Sequence, residues 1–113
     1  MNDIAIYAGD TVIIDYTIIL NDAVVDLTGL TLKWAARLHY GDEIPAIEKV
    51  TGNGIVHVDA KNGKARLTLM PEDTANLAVS STATLVWALR LYDNDNIHTV
   101  AAGLLIVQPV AQR

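Results

Sequence analysis

Two pentapeptides decide the fold of this chain: WAARL at positions 34–38 and WALRL at positions 87–91. In both of them apolar side chains occupy every second position, and this period is typical of a β-strand. The positions that face inward on these two predicted strands are Trp34, Ala36, Leu38, Trp87, Leu89 and Leu91. Because two bulky indoles occupy alternating strands that are far apart in sequence, we expect them to form the centre of a β-sandwich.

The rest of the sequence predicts about seven to nine short strands and one helical turn, which favours an immunoglobulin-like antiparallel β-sandwich. We predict an edge strand over residues 3–8 and main strands over residues 12–20, 30–39, 46–51, 55–59, 64–70, 84–92 and 98–107. The side chains predicted to form the centre of the core are Trp34, Trp87, Leu89, Leu38 and Tyr16. No linker interrupts the pattern, so residues 1–109 are predicted to form a single domain, followed by a C-terminal tail at residues 110–113.

Three turns carry their own local chemistry. The sequence DLTG predicts a rigid structural corner, in which Asp26 or Thr28 bonds backbone amides and Gly29 adopts a positive φ. The Asn-Gly pair at residues 62–63 predicts a hairpin between the strands on either side of it. PEDTANL at residues 71–77 predicts the helical turn, because proline is placed early and two acids lie near the positive end of the helix dipole.

The composition excludes several classes of function. The chain has 113 residues and no cysteine, so it can form neither disulfides nor thiolate metal sites. Its formal charge of −5 argues against nucleic acid as a partner, since phosphate binding requires a basic face. The polar, acidic start MND predicts no signal peptide. No apolar run reaches the roughly 18–20 residues of a membrane span, so we expect no membrane partner.

Apolar residues make up 51% of the chain, which is a high share for a small domain. We therefore expect some apolar surface to be buried against a neighbour in an oligomer or a larger assembly. The candidate interface residues come from the first predicted strand and the last one, and they are Ile4, Ile6, Val100, Leu104 and Ile106.

The candidate metal ligands lack the spacing that a metal site needs. Asp93 and Asp95 resemble the start of a calcium loop, but Leu104 stands where the closing glutamate would be. No ligand spacing relates the three histidines, which are His39, His57 and His98. We therefore predict no metal site and no cofactor.

No set of side chains predicts catalysis. Glu72 and Asp73 are neighbouring acids at a predicted helix start, where capping and the helix dipole explain them. Ser80 and Ser81 lack the G-x-S-x-G elbow of a hydrolase, and no G-K-[ST] follows the glycines at residues 52–54. An enzyme would need a pocket in which an acid, a base or a nucleophile converge. We predict that the protein is not an enzyme.

Five motifs follow one another along the chain. They are GDTV at residues 9–12, DLTGLTL at 26–32, NGKA at 62–65, LMPEDTA at 69–75 and TVAAGLLIV at 99–107. In this order they resemble a family of small bacteriophage virion modules, the immunoglobulin-like N-terminal domains of upper baseplate, tail-fibre and head-fibre proteins. PEDTA also resembles antibody variable domains, but their cysteine pair is missing here, so that likeness extends to the turn chemistry alone.

The resemblance implies a structural attachment module of a virus particle, without catalysis. We expect it in the virion, assembled in the host cytoplasm, with self-association and with capsid or tail and baseplate proteins as partners. Family members commonly carry a long fibre or receptor-binding region after this module, whereas this sequence stops at Arg113. That difference favours capsid decoration over a baseplate or tail-fibre adaptor. The alternative is a carbohydrate-binding adhesion module for the host surface, which would expose both Trp34 and Trp87 in one groove.

Overall fold

The computed structural model describes residues 3–110 and confirms an all-β fold. Within that range the ten strands are β1 (Ile4–Tyr7), β2 (Val12–Thr17), β3 (Ile19–Leu20), β4 (Ala23–Val24), β5 (Thr31–Arg37), β6 (Ile47–Thr51), β7 (Gly54–Asp59), β8 (Lys64–Leu69), β9 (Ala83–Asp93) and β10 (Asn96–Gln108). A 3-10 turn, Ala60–Asn62, joins β7 to β8, and one helical turn, α1 (Pro71–Thr74), precedes β9. Of the tail predicted at residues 110–113, residues 111–113 lie outside the described residues.

Eight strands form one hydrogen-bonded sheet in the order β1-β10-β9-β5-β6-β7-β8-β2, and β3 pairs with β4 separately. The sheet consists of a five-stranded layer (β1, β10, β9, β5, β6) and a three-stranded layer (β7, β8, β2), which are joined by a short parallel pairing between β6 and β7. The rings of Tyr16 in β2 and Trp87 in β9 lie 6.0 Å apart, although their strands are far apart in the strand order. The two layers therefore face each other as a sandwich. The remaining pairings are antiparallel, as predicted, except that β1 runs parallel to β10.

The two indoles lie at the centre of the core. The rings of Trp34 and Trp87 stack with centroids 5.8 Å apart, and their side chains are 0% and 3% exposed. Trp87 fits because its register partners on the neighbouring strands are the small residues Ala36 and Gly103. Leu89, the register partner of Trp34 on β9, is also buried. Contacts between aromatic rings contribute about 0.5–1.5 kcal/mol beyond the area that they bury.

Two predicted positions require correction. The prediction that Leu38 lies in the core is wrong, since its side chain is 49% exposed. β5 ends at Arg37, after which the chain leaves the sheet, and the alternation of the strand no longer sets the direction of Leu38. The prediction that Ile6 belongs to an exposed interface is also wrong. Ile6 lies beside Val107 across the β1–β10 pairing, and both side chains are part of the core.

The predicted strand over residues 12–20 is interrupted at Ile18. Its amide donates to the carbonyl oxygen of Gly63 at 2.8 Å, and its side chain is buried. Gly63 adopts a φ of +69° at the end of the 3-10 turn that closes the predicted Asn-Gly hairpin. A Cβ at this position would lie 2.8 Å from Val24 Cγ1 and 2.9 Å from the carbonyl oxygen of Val25. The turn of the hairpin and the interruption of the strand therefore contact each other at Gly63, where any other side chain would clash.

The corner at DLTG is closed by its own side chains. One carboxylate oxygen of Asp26 accepts hydrogen bonds from the hydroxyl of Thr28 at 2.6 Å and from its amide at 3.0 Å. Both bonds hold the pKa of Asp26 below its ordinary value. Gly29 adopts a φ of +76°, and the amide of Leu30 donates to the carbonyl oxygen of Leu27 at 2.9 Å. Because Leu27 is buried, the corner fixes the start of β5 to the core.

The helical turn α1 is attached to two distant parts of the sandwich. Asp73 Oδ2 accepts from the amide of Met70 at 2.7 Å and lies 2.8 Å from Lys49 Nζ of β6. The hydroxyl of Thr74, which is buried, accepts from the amide of Gly9 at 2.9 Å. The turn therefore links β6 to the connection between β1 and β2 and closes one end of the fold.

Candidate functional site: a trough on the five-stranded layer

The outer face of the five-stranded layer contains a trough whose floor is a row of three alanines. The pairing of the strands places Ala35 of β5 beside Ala88 of β9, and Ala88 beside Ala102 of β10. Because an alanine side chain ends at Cβ, this row lies lower than the longer side chains beside it. The concavity has a volume of about 440 Å³, which is within the range of ligand-binding clefts.

The trough lies between two rows of longer side chains. On one side, Lys33 and Arg90 are paired across β5 and β9, and on the other side Arg37 and Val86 are paired across the same strands. Glu48 of β6 stands at one end of the alanine row. The alternation of each strand directs these side chains outward, so the trough and the core occupy opposite faces of the same strands.

The three cations of the trough are only partly neutralised. Lys33 Nζ lies 3.7 Å from Glu48 Oε2, beyond hydrogen-bond distance. Arg37 Nε donates to the backbone carbonyl oxygen of Asp42 at 2.9 Å, a bond that orients the guanidinium without supplying a counter-charge. Among residues 3–110, Arg90 takes part in no ion pair or side-chain hydrogen bond. The trough is therefore locally basic, although the chain carries a formal charge of −5.

The loop between β5 and β6 forms the rim of the trough. Tyr40 and Asp42 of this loop line the concavity. Asp42 Oδ2 accepts from the amide of His39 at 3.1 Å, and this bond helps to hold the loop in place. The side chains of Tyr40 and Ile44 are 86% and 84% exposed. Large apolar side chains beside a charged concave surface are typical of an interaction site.

The side chains of the trough are suited to binding. The described residues that line it include no serine, threonine, cysteine or histidine. Its charged groups are the three cations and the two carboxylates of Glu48 and Asp42, which stand on different elements at its margin. Such a set can hold an anionic group in place by charge-assisted hydrogen bonds.

The histidines lie in three different parts of the fold. Nε2 of His57 lies 3.0 Å from the hydroxyl of Thr51, which also accepts from the amide of Leu32 at 2.8 Å. Burial at this junction of the layers lowers the pKa of His57. His39 lies in the β5–β6 loop and His98 in β10. Within residues 3–110, no group of three or more histidine, aspartate or glutamate side chains is arranged to hold a metal ion.

The other polar residues considered from the sequence lie outside the trough. Asp93 ends β9 and Asp95 follows in the turn to β10, and Glu72 is exposed on α1. Ser80 and Ser81 are exposed in the connection from α1 to β9. None of these five residues lines the trough.

The predicted interface residues are divided between two environments. Leu104 is the register partner of Val86, and it faces outward on β10 beside the trough together with Ile106. Ile4 and Val100 instead pack partly against the core. The candidate surface therefore lies mainly on the outer face of β5, β9 and β10, with the last strand as one margin.

The alanine row was not predicted as a site from the sequence. Ala35 and Ala88 occupy the second position of WAARL and WALRL, where the alternation already directs them outward. Two small residues at equivalent positions of neighbouring strands predict a depression once the strands are known to pair. That pairing is a property of the fold, so the signal becomes visible only after the fold is known.

A comparison of the sequence with protein-family models and with curated proteins finds no match. The resemblance to phage virion modules therefore stays a prediction that depends on five motifs. In the structure, the turns at DLTG and PEDT stabilise the sandwich. They would do so in any sandwich that contains them, so they are not specific to one family. Among the described residues, no helix has the length and apolar composition to cross a membrane.

Proposed function

We propose that this protein is a non-enzymatic docking module that joins or decorates a larger assembly through the trough. The observation that carries the proposal is the combination of a flat alanine floor with incompletely neutralised cations on the outer face of a rigid sheet. The backbone of such a sheet face is already ordered, the floor side chains are short and Arg37 is held by its bond to Asp42, so little ordering is needed when a partner binds.

We further propose that the assembly is a bacteriophage particle, with capsid decoration ahead of attachment to the tail or baseplate. The five-motif resemblance supports this step. A single contact through the trough is modest, and repetition of that contact on a symmetric shell or ring raises the overall affinity strongly. Self-association within such a lattice would use the exposed apolar side chains of the β5–β6 loop, Tyr40 and Ile44.

The carbohydrate-binding alternative gains no support from the two tryptophans. Sugar binding would use exposed indole faces, whereas Trp34 and Trp87 are stacked on each other within the core.

The docking proposal is tested with particles produced in the presence of variant protein. Ala88→Gln places a longer, uncharged side chain on the floor of the trough. Thr68→Gln places the same side chain at an outward position of β8, on the three-stranded layer, and serves as the matched control. Both variants are first compared with the wild type by thermal unfolding, which should show a similar stability for all three proteins.

Purified particles are then analysed for protein content and by electron microscopy. We expect wild-type and T68Q protein at regular positions on the shell or in a ring at the tail, and little A88Q protein. Equal incorporation of A88Q would show that the trough is not the docking surface. Recovery of the wild-type protein only as a free monomer in the lysate would refute the assignment to the virion.

A further inference from the structure

We infer that the trough binds an extended acidic segment of a partner protein, whose carboxylates contact Arg90 and Lys33 on one side and Arg37 on the other. This inference deepens the proposed docking function and rests on it. It assigns the chemistry of the partner, which the docking proposal leaves open.

The like-charged pair of Lys33 and Arg90 is the first argument. These two residues are direct partners across β5 and β9, and both side chains leave the sheet on the same face. Like charges directly opposite each other in a sheet are destabilising. Glu48 lies 3.7 Å from Lys33, and no carboxylate within residues 3–110 pairs with Arg90. A carboxylate placed between the two cations would relieve the repulsion and gain charge-assisted hydrogen bonds.

The orientation of Arg37 is the second argument. Its Nε is bonded to the carbonyl oxygen of Asp42 at 2.9 Å, which fixes the plane of the guanidinium at the opposite wall. The terminal nitrogens of this guanidinium form no side-chain hydrogen bond within residues 3–110. A guanidinium held in this way is prepared for a planar anion such as a carboxylate, because little side-chain entropy remains to be lost.

The shape of the floor favours a peptide over a sugar or a nucleic acid. Three alanines on adjacent strands span roughly 10 Å at about 4.8 Å per strand, which is the length of about three extended residues. The aromatic residues that line the trough are Tyr40, Tyr92 and Trp87, and because the indole of Trp87 is buried in the core, the floor offers methyl groups instead of a stacking surface. Sugar rings and bases bind by stacking on aromatic faces, whereas a flat aliphatic floor accommodates a peptide backbone.

The test uses a fluorescein-labelled peptide of about eight residues in which glutamate and valine alternate, which at roughly 3.3 Å per residue spans the trough with a margin. A second peptide has glutamine in place of every glutamate. Binding is measured by fluorescence anisotropy with the full chain. The variants are Arg90→Gln and, as a matched control, Arg66→Gln on the three-stranded layer, where Arg66 pairs with Asp15 on an exposed surface.

We expect the glutamate peptide to bind the wild type and R66Q with similar affinity, and binding should weaken as salt is raised. R90Q should bind it about tenfold or more weakly, as expected for the loss of one charge-assisted hydrogen bond. R90Q should fold normally, because the substitution removes a repulsion. The wild type should bind the glutamine peptide weakly, with an affinity no higher than that of R90Q for the glutamate peptide.

Four results would overturn the inference. They are the absence of binding at up to about 1 mM glutamate peptide, equal affinity of R90Q and wild type, equal affinity for the two peptides, and tighter binding of single-stranded DNA of the same charge. Incorporation into particles separates this inference from the docking proposal. If A88Q is excluded from particles while R90Q is incorporated normally, the result supports docking through the trough and refutes the acidic segment as the bound partner.

Discussion

Replacement of Asp73 by asparagine should destabilise the fold, because it leaves a cation without its counter-charge. Asp73 Oδ2 lies 2.8 Å from Lys49 Nζ and 2.7 Å from the amide nitrogen of Met70. Asparagine retains an oxygen that can accept from the Met70 amide, but it carries no charge. The ammonium group of Lys49, whose side chain is 14% exposed, would then remain beside the core unpaired.

The magnitude follows from the geometry of the pair. At 2.8 Å the Coulomb attraction is about 1.5 kcal/mol in water and about 6 kcal/mol at an effective dielectric constant of about 20, before desolvation is subtracted. Removal of one partner from a fully buried pair costs about 3–5 kcal/mol. Because both side chains retain some contact with water, we expect Asp73→Asn to cost about 2 kcal/mol. Asp73→Ala also removes the bond to Met70, which adds about 1 kcal/mol.

The assay is urea unfolding followed by far-UV circular dichroism. With an m-value of about 1.5 kcal/mol/M, Asp73→Asn should lower the unfolding midpoint by about 1.3 M. A double-mutant cycle with Lys49→Met isolates the coupling between the two side chains. The pair of Asp15 and Arg66 is the matched control, because its nitrogen and oxygen are also 2.8 Å apart while its side chains are 65% and 48% exposed.

We expect the coupling of the exposed pair to be close to zero, because solvent screens it and its side chains lose entropy when they pair. Added salt should weaken that coupling further and should affect the Lys49–Asp73 coupling less. Equal couplings at the two sites, or an Asp73→Asn variant as stable as the wild type, would refute the reasoning that burial decides the strength of this ion pair.

Three further predictions concern single positions. Tyr16→Phe removes a buried hydroxyl that has no hydrogen-bond partner among residues 3–110, so urea unfolding should show unchanged stability or a gain of up to about 1 kcal/mol. Burial raises the pKa of Tyr16 from 10.0 to about 12, so the wild-type fold should lose stability as pH rises from 10.0 through about 12. An equally large alkaline loss in Tyr16→Phe would contradict this assignment. Burial lowers the pKa of His57 from 6.5, so its contribution to the free energy of unfolding should be fully present above pH 6.5 and should be lost as the pH falls below that value. His57→Gln should reduce the dependence of stability on pH in this range. An unchanged pH dependence would point to another group. Gly63→Ala combines a positive φ with a clash against the backbone and should cost at least about 2 kcal/mol of stability. Gly29→Ala also has a positive φ, but its Cβ would lie in open space, so it should cost about 1 kcal/mol. Similar losses of stability for the two variants in thermal unfolding would argue against the clash.

The core strands could be predicted because each carries its own burial pattern. The alternation in WAARL and WALRL directs Trp34 and Trp87 inward whatever partner strand they have. Leu38 continues the same alternation, yet it is exposed because β5 ends one residue earlier, at Arg37. Periodicity gives the face of a residue within a strand, but the end of the strand is set by how far its neighbours extend.

The trough could not be predicted because it depends on register across three strands. Ala35 and Ala88 face outward by simple alternation, and Ala102 shares a face with the predicted interface residues Leu104 and Ile106, but its place beside Ala88 depends on the register of β10. An irregularity between Thr99 and Ala101 adds one residue to β10 and reverses the alternation beyond that point. Val100, which uninterrupted alternation would place on the same face as Ala102, packs against the core instead. The apolar sequence of β10 hides this shift, because its two faces have similar residues.

The stacked indoles give the protein two optical signals that report on its packed interior. Trp34 and Trp87 are the two tryptophans of the chain, and their rings are in contact inside the sandwich. Intrinsic emission and the near-ultraviolet exciton signal of this pair therefore follow the integrity of the packed interior. A ligand that contacts the opposite face of β5 and β9 should leave both signals almost unchanged. Denaturation can accordingly be monitored without a dye, whereas occupancy of the outer surface requires one.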